Sequence, residues 1–259
     1  MDRQTEVKLN LLLRSWPRRT VAVSSYLHKQ GIYRQLVSRY EQSGWIKSIG
    51  HGAFVRGDDE RVSWAGGLYA IQEQLGLPIH LGGKSALEQS GYAHFIPVRG
   101  IQSVWLYGAV GVKVPAWFRH AHWDITVHFT ASGLIRGYNA NQGFTGKVVD
   151  GCMITISSPE RAILELLDMV PADQTFEEAH QIMESLNALR PKIVSTLLDN
   201  CGSVKVKRLF LFLAEYCKHP WLKYIDRKGI SMGSGKRYVV KNGCFDSKYQ
   251  ITVPREFKQ

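Results

Sequence analysis

Apolar positions open the chain at helical spacing. Through residues 5–15, Val7, Leu11 and the neighbouring leucines share one face, which predicts an amphipathic helix stopped by Trp16-Pro17. Thr20-Val21-Ala22-Val23 is a short β-prone run. Ser24 or Ser25 is then placed to accept the free N–H groups at the start of a second helix over 25–30. Gly31, having no Cβ, suits the positive φ of a tight turn between helices. A third helix follows over 32–43, with Ile32, Leu36, Val37 and Tyr40 turned inward and Ser43-Gly44 closing it. Next, 45–49 reads as a strand, Gly50-His51-Gly52 as a turn, and 53–56 as the returning strand. Helix, short strand, helix, turn, helix and hairpin within 57 residues is the order of a winged helix-turn-helix.

Past the hairpin the pattern predicts a helix over 64–75, a strand containing Pro78, and a helix that begins near Gly83-Lys84-Ser85 and ends at Gly91. From 96 to 157 it turns β-rich, with candidate strands at 98–101, 103–107, 110–114, 123–129 and 148–156. Helices then dominate. Ser158-Pro159 opens one over 159–170, Thr175 with Glu178 forms a capping box for 176–187, Pro191 opens one to 199, and 204–218 is the most apolar. Residues 237–241 and 249–253 read as an antiparallel pair around Asn242-Gly243 and Asp246. The whole is an α+β chain in two domains. Residues 1–95 form a winged helix-turn-helix with bridging helices, the wing ending near 57, and 96–259 form a mixed α/β domain.

Composition adds a polarity to this plan. The net charge is +11 and is carried by the ends: residues 1–57 hold ten Lys/Arg against three Asp/Glu, and residues 202–259 hold thirteen against four. The stretch between is acidic, so a polyanion would be gripped by the ends. No run approaches the roughly 18 apolar residues of a membrane span, and the expected location is the cytoplasm. The four cysteines, Cys152, Cys201, Cys217 and Cys244, contain no C-x-x-C pair and read as reduced structural thiols.

Charge and pattern together select candidate residues. The second helix of a helix-turn-helix lies in the major groove, so positions between its inward-facing residues are the ones that reach DNA. Here they are Arg34, Gln35, Ser38 and Arg39. Arg matches guanine bidentately, Gln matches adenine, and Ser permits close approach. Arg18, Arg19 and Thr20 at the head of the short strand, with Lys47, His51 and Arg56 on the wing, are expected to hold the phosphate backbone. Other chemistry is not indicated. His120, His122 and His128 have no further ligand at suitable spacing for a metal, and Gly233-Ser234-Gly235-Lys236-Arg237 departs from the phosphate-loop pattern at both ends. No nucleophile elbow, kinase set or zinc-protease helix is present, so neither an enzyme nor a cofactor is expected. The segment 204–241 interleaves cations with aromatics. The aromatics read as core and the cations as one exposed face, although aromatics among cations also suit single-stranded RNA.

Several short stretches, taken in order, give the chain a resemblance that covers nearly all of it. They are Gly31-Ile32-Tyr33, Gly44-Trp45-Ile46, Gly50-His51-Gly52-Ala53-Phe54, Gly83-Lys84-Ser85-Ala86-Leu87, Ser158-Pro159-Glu160-Arg161-Ala162, and the closing run from Lys241 to Pro254. In these the chain resembles the AbiEi antitoxins, the repressor half of a toxin–antitoxin pair associated with phage defence. The resemblance implies an N-terminal domain that represses its own operon at inverted repeats, with Arg34, Gln35, Ser38 and Arg39 in the DNA role. It implies a C-terminal domain that counteracts a nucleotidyltransferase-type toxin without a stable complex, through a basic face that falls here on Lys205, Lys207, Arg208, Lys218 and Lys223. The implied molecule is a monomer or weak dimer. Two other readings stand beside it: an RNA-binding protein that works through the basic C-terminal third, and a protein–protein adaptor that uses the wing.

Overall fold

The computed structural model describes residues 3–59, 61–92, 103–137 and 141–258. It begins with α1 (Arg3–Ser15), β1 (Ala22–Val23), α2 (Ser24–Lys29), α3 (Arg34–Gln42), β2 (Ile46–Gly50) and β3 (Ala53–Arg56). Then come α4 (Trp64–Tyr69), which runs on as a π-turn over Ala70–Gln74, β4 (Ile79–Leu81), α5 (Gly83–Gln89), β5 (Ser103–Gly108), α6 (Ala116–His120) and β6 (Thr126–Ala131). The chain continues through β7 (Phe144–Val149), β8 (Cys152–Ser157), α7 (Pro159–Asp168), α8 (Phe176–Ser185), α9 (Pro191–Asn200) and α10 (Val204–Tyr216). It closes with a 3-10 turn (Pro220–Tyr224), β9 (Arg237–Tyr238), β10 (Cys244–Asp246), β11 (Ile251–Val253) and a last 3-10 turn (Arg255–Phe257).

The architecture is α+β, and it separates into two compact units, neither contiguous in sequence. One comprises Met1–His80, Ile101–Ala131 and Gly146–Thr155, the other Leu81–Gly100, Ser132–Thr145 and Ile156–Gln259. A five-stranded sheet has the order β6-β5-β4-β8-β7, and the division between units falls within β4, β7 and β8. Two three-stranded sheets have the orders β1-β3-β2 and β10-β11-β9. β5 and β6 are parallel over their full length, from Ser103 opposite Thr126 to Gly108 opposite Ala131.

Most helix limits follow from local chemistry. Thr175 accepts the Glu178 N–H at 3.1 Å, so the capping box forms at the start of α8. Pro159 and Pro191 sit in the first turns of α7 and α9, where a missing N–H costs nothing. At α2 the cap residue is Val23 rather than a serine. Ser24 instead gives its backbone N–H to the Gly52 carbonyl at 2.9 Å, which ties the helix to the hairpin turn.

Several expectations are corrected. The inner face of α1 is Leu9 and Leu12, continued by Trp16 just past its end, while Val7 and Leu11 are exposed; the leucine run left the phase of the helix open to either reading. Residues 110–114 form no strand: Gly111 has φ +88° and the Val112 N–H returns to the Ala109 carbonyl at 3.1 Å in a turn. The run 148–156 is two strands, parted by Asp150 and Gly151 with φ of +50° and +81°, a two-residue connection of the kind that joins antiparallel neighbours. In the C-terminal sheet β9 runs parallel, not antiparallel, to β11. The reversal at Asn242-Gly243 produces β10, which takes the antiparallel place beside β11, and a Cβ on Gly243 would lie 2.2 Å from the Val253 carbonyl oxygen. The strand expected at 98–101 lies outside the described residues.

Candidate nucleic-acid interface

A small core positions α3. Leu9 and Leu12 of α1, Trp16 just after it, Ala22, Leu27, Ile32, Tyr40, Ile46 and Phe54 pack together, with Leu36 and Val37 partly buried against them. Gly31, at φ +76°, makes the turn that brings α2 onto α3. Tyr40, wholly buried, pins the last turn of α3 to this core, so the helix has a fixed inner face and a free outer one.

On that outer face Arg34, Gln35, Ser38 and Arg39 are all exposed. Neither arginine makes an ion pair with any described residue. α3 and the β2–β3 hairpin border an open groove of about 650 Å³ lined by Ser24, His28, Arg34, Ser38, Ser48 and His51, with Ile32, Val37 and Phe54 at its apolar floor. Sequence reasoning placed Arg34, Ser38 and His51 in this neighbourhood. It missed Ser24, His28 and Ser48, because only the approach of the hairpin turn to α2 brings them to the same groove. Glu41 also lines the groove and is its one carboxylate among the described residues.

Two residues assigned to the phosphate backbone belong to the fold instead. Arg56 is buried, and its Nη1 donates to the carbonyl oxygens of Leu13 at 3.1 Å and Trp16 at 3.3 Å, satisfying the C-terminal end of α1. Its Nε donates to Asp58 Oδ1 at 3.1 Å, and this hydrogen bond is the main reason the Asp58 carboxyl lies below its ordinary value. Thr20 is buried as well: its hydroxyl donates to the Pro17 carbonyl at 2.6 Å and accepts from Trp16 Nε1 at 3.1 Å. In both cases a polar group sits between helix and sheet because a buried carbonyl or indole N–H needs a partner there.

The remaining backbone candidates are exposed but differ in setting. Lys47 gives its Nζ to the Gly57 carbonyl at 3.0 Å. Arg18 pairs with Asp58 at 3.0 Å, and Arg19, at φ +61°, donates its backbone N–H to Asp59 Oδ2 at 2.9 Å. Arg18 and Arg19 line a separate cavity of about 660 Å³ that also contains Asp58, Asp59, Asp124 and Asp150. Arginine charge in that cavity is answered by carboxylates, whereas on α3 no described carboxylate pairs with it.

The C-terminal basic face is thinner than the sequence implies. α10 is buried from Val206 through Ala214, Lys207 and Arg208 included. Arg208 donates to the carbonyl oxygens of Met232 at 2.9 Å, Gly235 at 2.6 Å, Gly233 at 3.1 Å and Gln250 at 3.1 Å. Lys207 Nζ donates to the Ser231 carbonyl at 3.1 Å. Lys205 is half-buried and caps the end of α7 through the Asp168 and Val170 carbonyls, both at 2.6 Å, and burial lowers the pKa of its ammonium. Of the five residues assigned to this surface, Lys218 and Lys223 are exposed. The aromatics divide in the same way. Phe210, Phe212 and Trp221 are core, while Tyr224 and Tyr238 are exposed.

Two sequence stretches that carried the family resemblance prove to be architectural. The buried Glu165 accepts from the Gly83 N–H at 3.0 Å, Ser157 Oγ at 2.8 Å and Arg161 Nε at 2.9 Å, joining α5, β8 and α7. One turn earlier, Glu160 accepts from Ser158 Oγ at 2.6 Å and from Arg190 Nε and Nη2, each at 2.8 Å. Burial by itself would raise the Glu160 carboxyl, but these hydrogen bonds overcome it and hold the group at about 2.

Comparison with known proteins fits this geometry. The family model described as the transcriptional regulator AbiEi antitoxin N-terminal domain matches residues 5–98, and that described as transcriptional regulator, AbiEi antitoxin, type IV TA system matches residues 101–254. Among solved structures, the chain is similar to that of the RV2827C protein from Mycobacterium tuberculosis, at 13% sequence identity and a TM-score of 0.61, covering 96% of this chain and 90% of that one. The likeness is one of fold. No curated protein sequence matches.

Proposed function

Because this chain belongs to the AbiEi family of antitoxins, transcriptional regulators of type IV toxin–antitoxin systems, we propose that it binds double-stranded DNA through a winged helix-turn-helix made by α2, α3 and the β2–β3 hairpin. The observation that carries this reading is the outer face of α3, where Arg34, Gln35, Ser38 and Arg39 stand exposed and neither arginine pairs with a carboxylate among the described residues. Burial of Ile32 and Tyr40 fixes the direction of that face, so on binding only the side chains, and not the helix, have to be ordered. In the major groove Arg34 and Arg39 meet guanine or phosphate and Gln35 meets adenine, while Ser38 leaves room for approach. The hairpin turn carries His51 to the flanking backbone, and Lys47 on β2 reaches it by giving up its contact with the Gly57 carbonyl. Glu41 works in the other direction, since a carboxylate in the groove repels phosphate and accepts only from a donor such as cytosine N4.

The rest of the biological role follows the family. The protein represses its own operon at inverted repeats, one copy on each half-site, as a monomer or weak dimer in the cytoplasm. Residues 1–95 serve DNA, and residues 96–259 counteract a nucleotidyltransferase-type toxin in a phage-defence setting, without a stable complex and without chemistry of their own. On this chain the toxin-directed surface includes Lys218 and Lys223.

Fluorescence anisotropy with the promoter-proximal inverted repeat tests the reading. Affinity of the parent should fall steeply with salt, by a slope near 0.9 for each phosphate neutralised. Changing Arg34→Ala and Arg39→Ala should weaken binding about 10- to 100-fold per arginine. A double variant that binds the repeat as tightly as the parent, at matched salt, would remove α3 from the interface.

A further inference from the structure

The C-terminal three-stranded sheet has a face that the DNA reading does not use. Phe245 on β10 and Tyr238 on β9 are both registered against Thr252 on the central strand β11. Residues directly opposite one another in a sheet share a face, so the two rings flank Thr252 across the sheet, about 10 Å apart at two strand spacings. Lys236, just ahead of β9, sets its Nζ 4.9 Å from the centroid of the Phe245 ring, which puts its ammonium beside that ring. Thr252 itself is buried: its Oγ1 accepts the Val239 N–H at 2.9 Å and the Val240 N–H at 3.4 Å and donates to the Val240 carbonyl at 3.2 Å, so the Val239–Val240 backbone covers the position between the two rings and fixes it.

The rings are open to solvent, Tyr238 at 79% and Phe245 at 40%. Tyr238 therefore gains nearly nothing from burial in the fold, in contrast to Phe210, Phe212 and Trp221 of the same C-terminal third. The neighbouring Lys241 is exposed too, and the one carboxylate of β10, Asp246, is engaged by the Tyr249 N–H at 2.6 Å. Open aromatic rings on a sheet, interleaved with lysines that track a phosphate backbone, constitute the arrangement that holds unpaired bases by stacking. A duplex hides the faces of its bases and cannot use such a surface, and most single strands in a cell are RNA.

We infer that the Tyr238–Thr252–Phe245 face of the C-terminal sheet is a stacking platform for single-stranded RNA, with Lys236 and Lys241 as its phosphate contacts. The two rings accept bases from one strand, and sequence preference is weak because every base has a π-face.

The test uses the full chain carrying Arg34→Ala and Arg39→Ala, so that the N-terminal groove does not supply the affinity, and a fluorescein-labelled twelve-residue oligouridylate. This parent should bind the RNA with an affinity that falls with salt, and a twelve-base-pair DNA duplex should compete poorly. Tyr238→Ala and Phe245→Ala should each weaken binding about tenfold; thermal melting should be unchanged in Tyr238→Ala, whose ring is 79% exposed, and slightly lowered in Phe245→Ala, whose ring is more than half covered. Tyr238→Phe should retain binding because the ring is kept, and Lys236→Gln should lower the salt slope by about one. The platform is overturned if the doubly substituted Tyr238→Ala, Phe245→Ala protein binds as well as its parent, or if the parent fails to bind at low salt. Duplex competing as well as single strand, or oligothymidylate binding more tightly than oligouridylate, would overturn the assignment to RNA. Because the two α3 arginines are already removed from parent and variants alike, the comparison between them does not depend on the DNA-reading face of α3.

Discussion

α3 and α10 look alike on paper and behave in opposite ways. Each sets Lys or Arg between apolar positions, and each stands in a basic end of the chain. On α3 the cations point out and are answered by no described carboxylate; on α10 Lys207 and Arg208 point in and are answered by backbone carbonyls of the 231–235 loop. The difference lies in how much of each helix is covered. Tyr40 is the one fully buried residue of α3 among its nine, while nine successive residues of α10 are buried. A helix apolar on every side is taken into the interior, and its cations go with it. Positive charge in a sequence therefore cannot separate a phosphate contact from a carbonyl contact, since both acceptors are oxygen.

The sharpest way to break this contrast is Arg208→Ala. It strands the carbonyls of Met232, Gly233, Gly235 and Gln250 in a buried site, so stability by urea unfolding should fall by about 3 kcal/mol or more. A loss below about 1 kcal/mol would mean that Arg208 is not structural. Arg56→Ala probes the same principle in the N-terminal unit, where the Leu13 and Trp16 carbonyls lose their donor. The expected cost is about 1–3 kcal/mol, with no change in the salt slope of DNA binding.

Glu160 tests the acidic counterpart of these buried cations. Its carboxyl titrates at about 2 in the fold against an ordinary 4.5, so the folded state favours the ionised form. Its contribution to stability is complete above about pH 4.5 and is lost as pH falls toward 2. In Glu160→Gln, stability measured from pH 7 down to pH 2 should show a shallower acid limb than the parent, and an identical limb would show that other groups govern acid unfolding. The smallest effect belongs to Arg34→Ala and Arg39→Ala, which should leave stability within about 0.5 kcal/mol. A larger loss would place those arginines in the structure after all and erase the distinction from α10.

Legibility followed the range of the interaction. The N-terminal elements were readable because their signals are local: Trp16-Pro17, Gly31, Ser43-Gly44 and the Gly50-His51-Gly52 turn each act within a few residues. Even there, Arg56 and Thr20 were misread: the carbonyls that hold Arg56 lie 43 and 40 residues away, and Thr20, although its partners Pro17 and Trp16 are near in sequence, is buried by tertiary packing. The groove was half legible. Arg34 and Ser38 follow from helix phase, but Ser24, His28 and Ser48 join them only through the hydrogen bond from Ser24 to the hairpin turn. The Asp150-Gly151 turn was signalled in sequence by a pair that readily adopts positive φ, and it divides the run 148–156 into two strands.

By itself the amino-acid sequence determined the order of helices and hairpin at the N-terminus, the α+β class, the basic ends and the residues that carry the family likeness, because periodicity, caps and charge are properties of neighbouring positions. Only the tertiary structure decided which cations remain free and which hold carbonyls, the parallel placement of β9, and the row that sets Tyr238 and Phe245 on one open face. Those depend on where distant backbone oxygens and strand edges come to lie, and no short-range pattern encodes that distance.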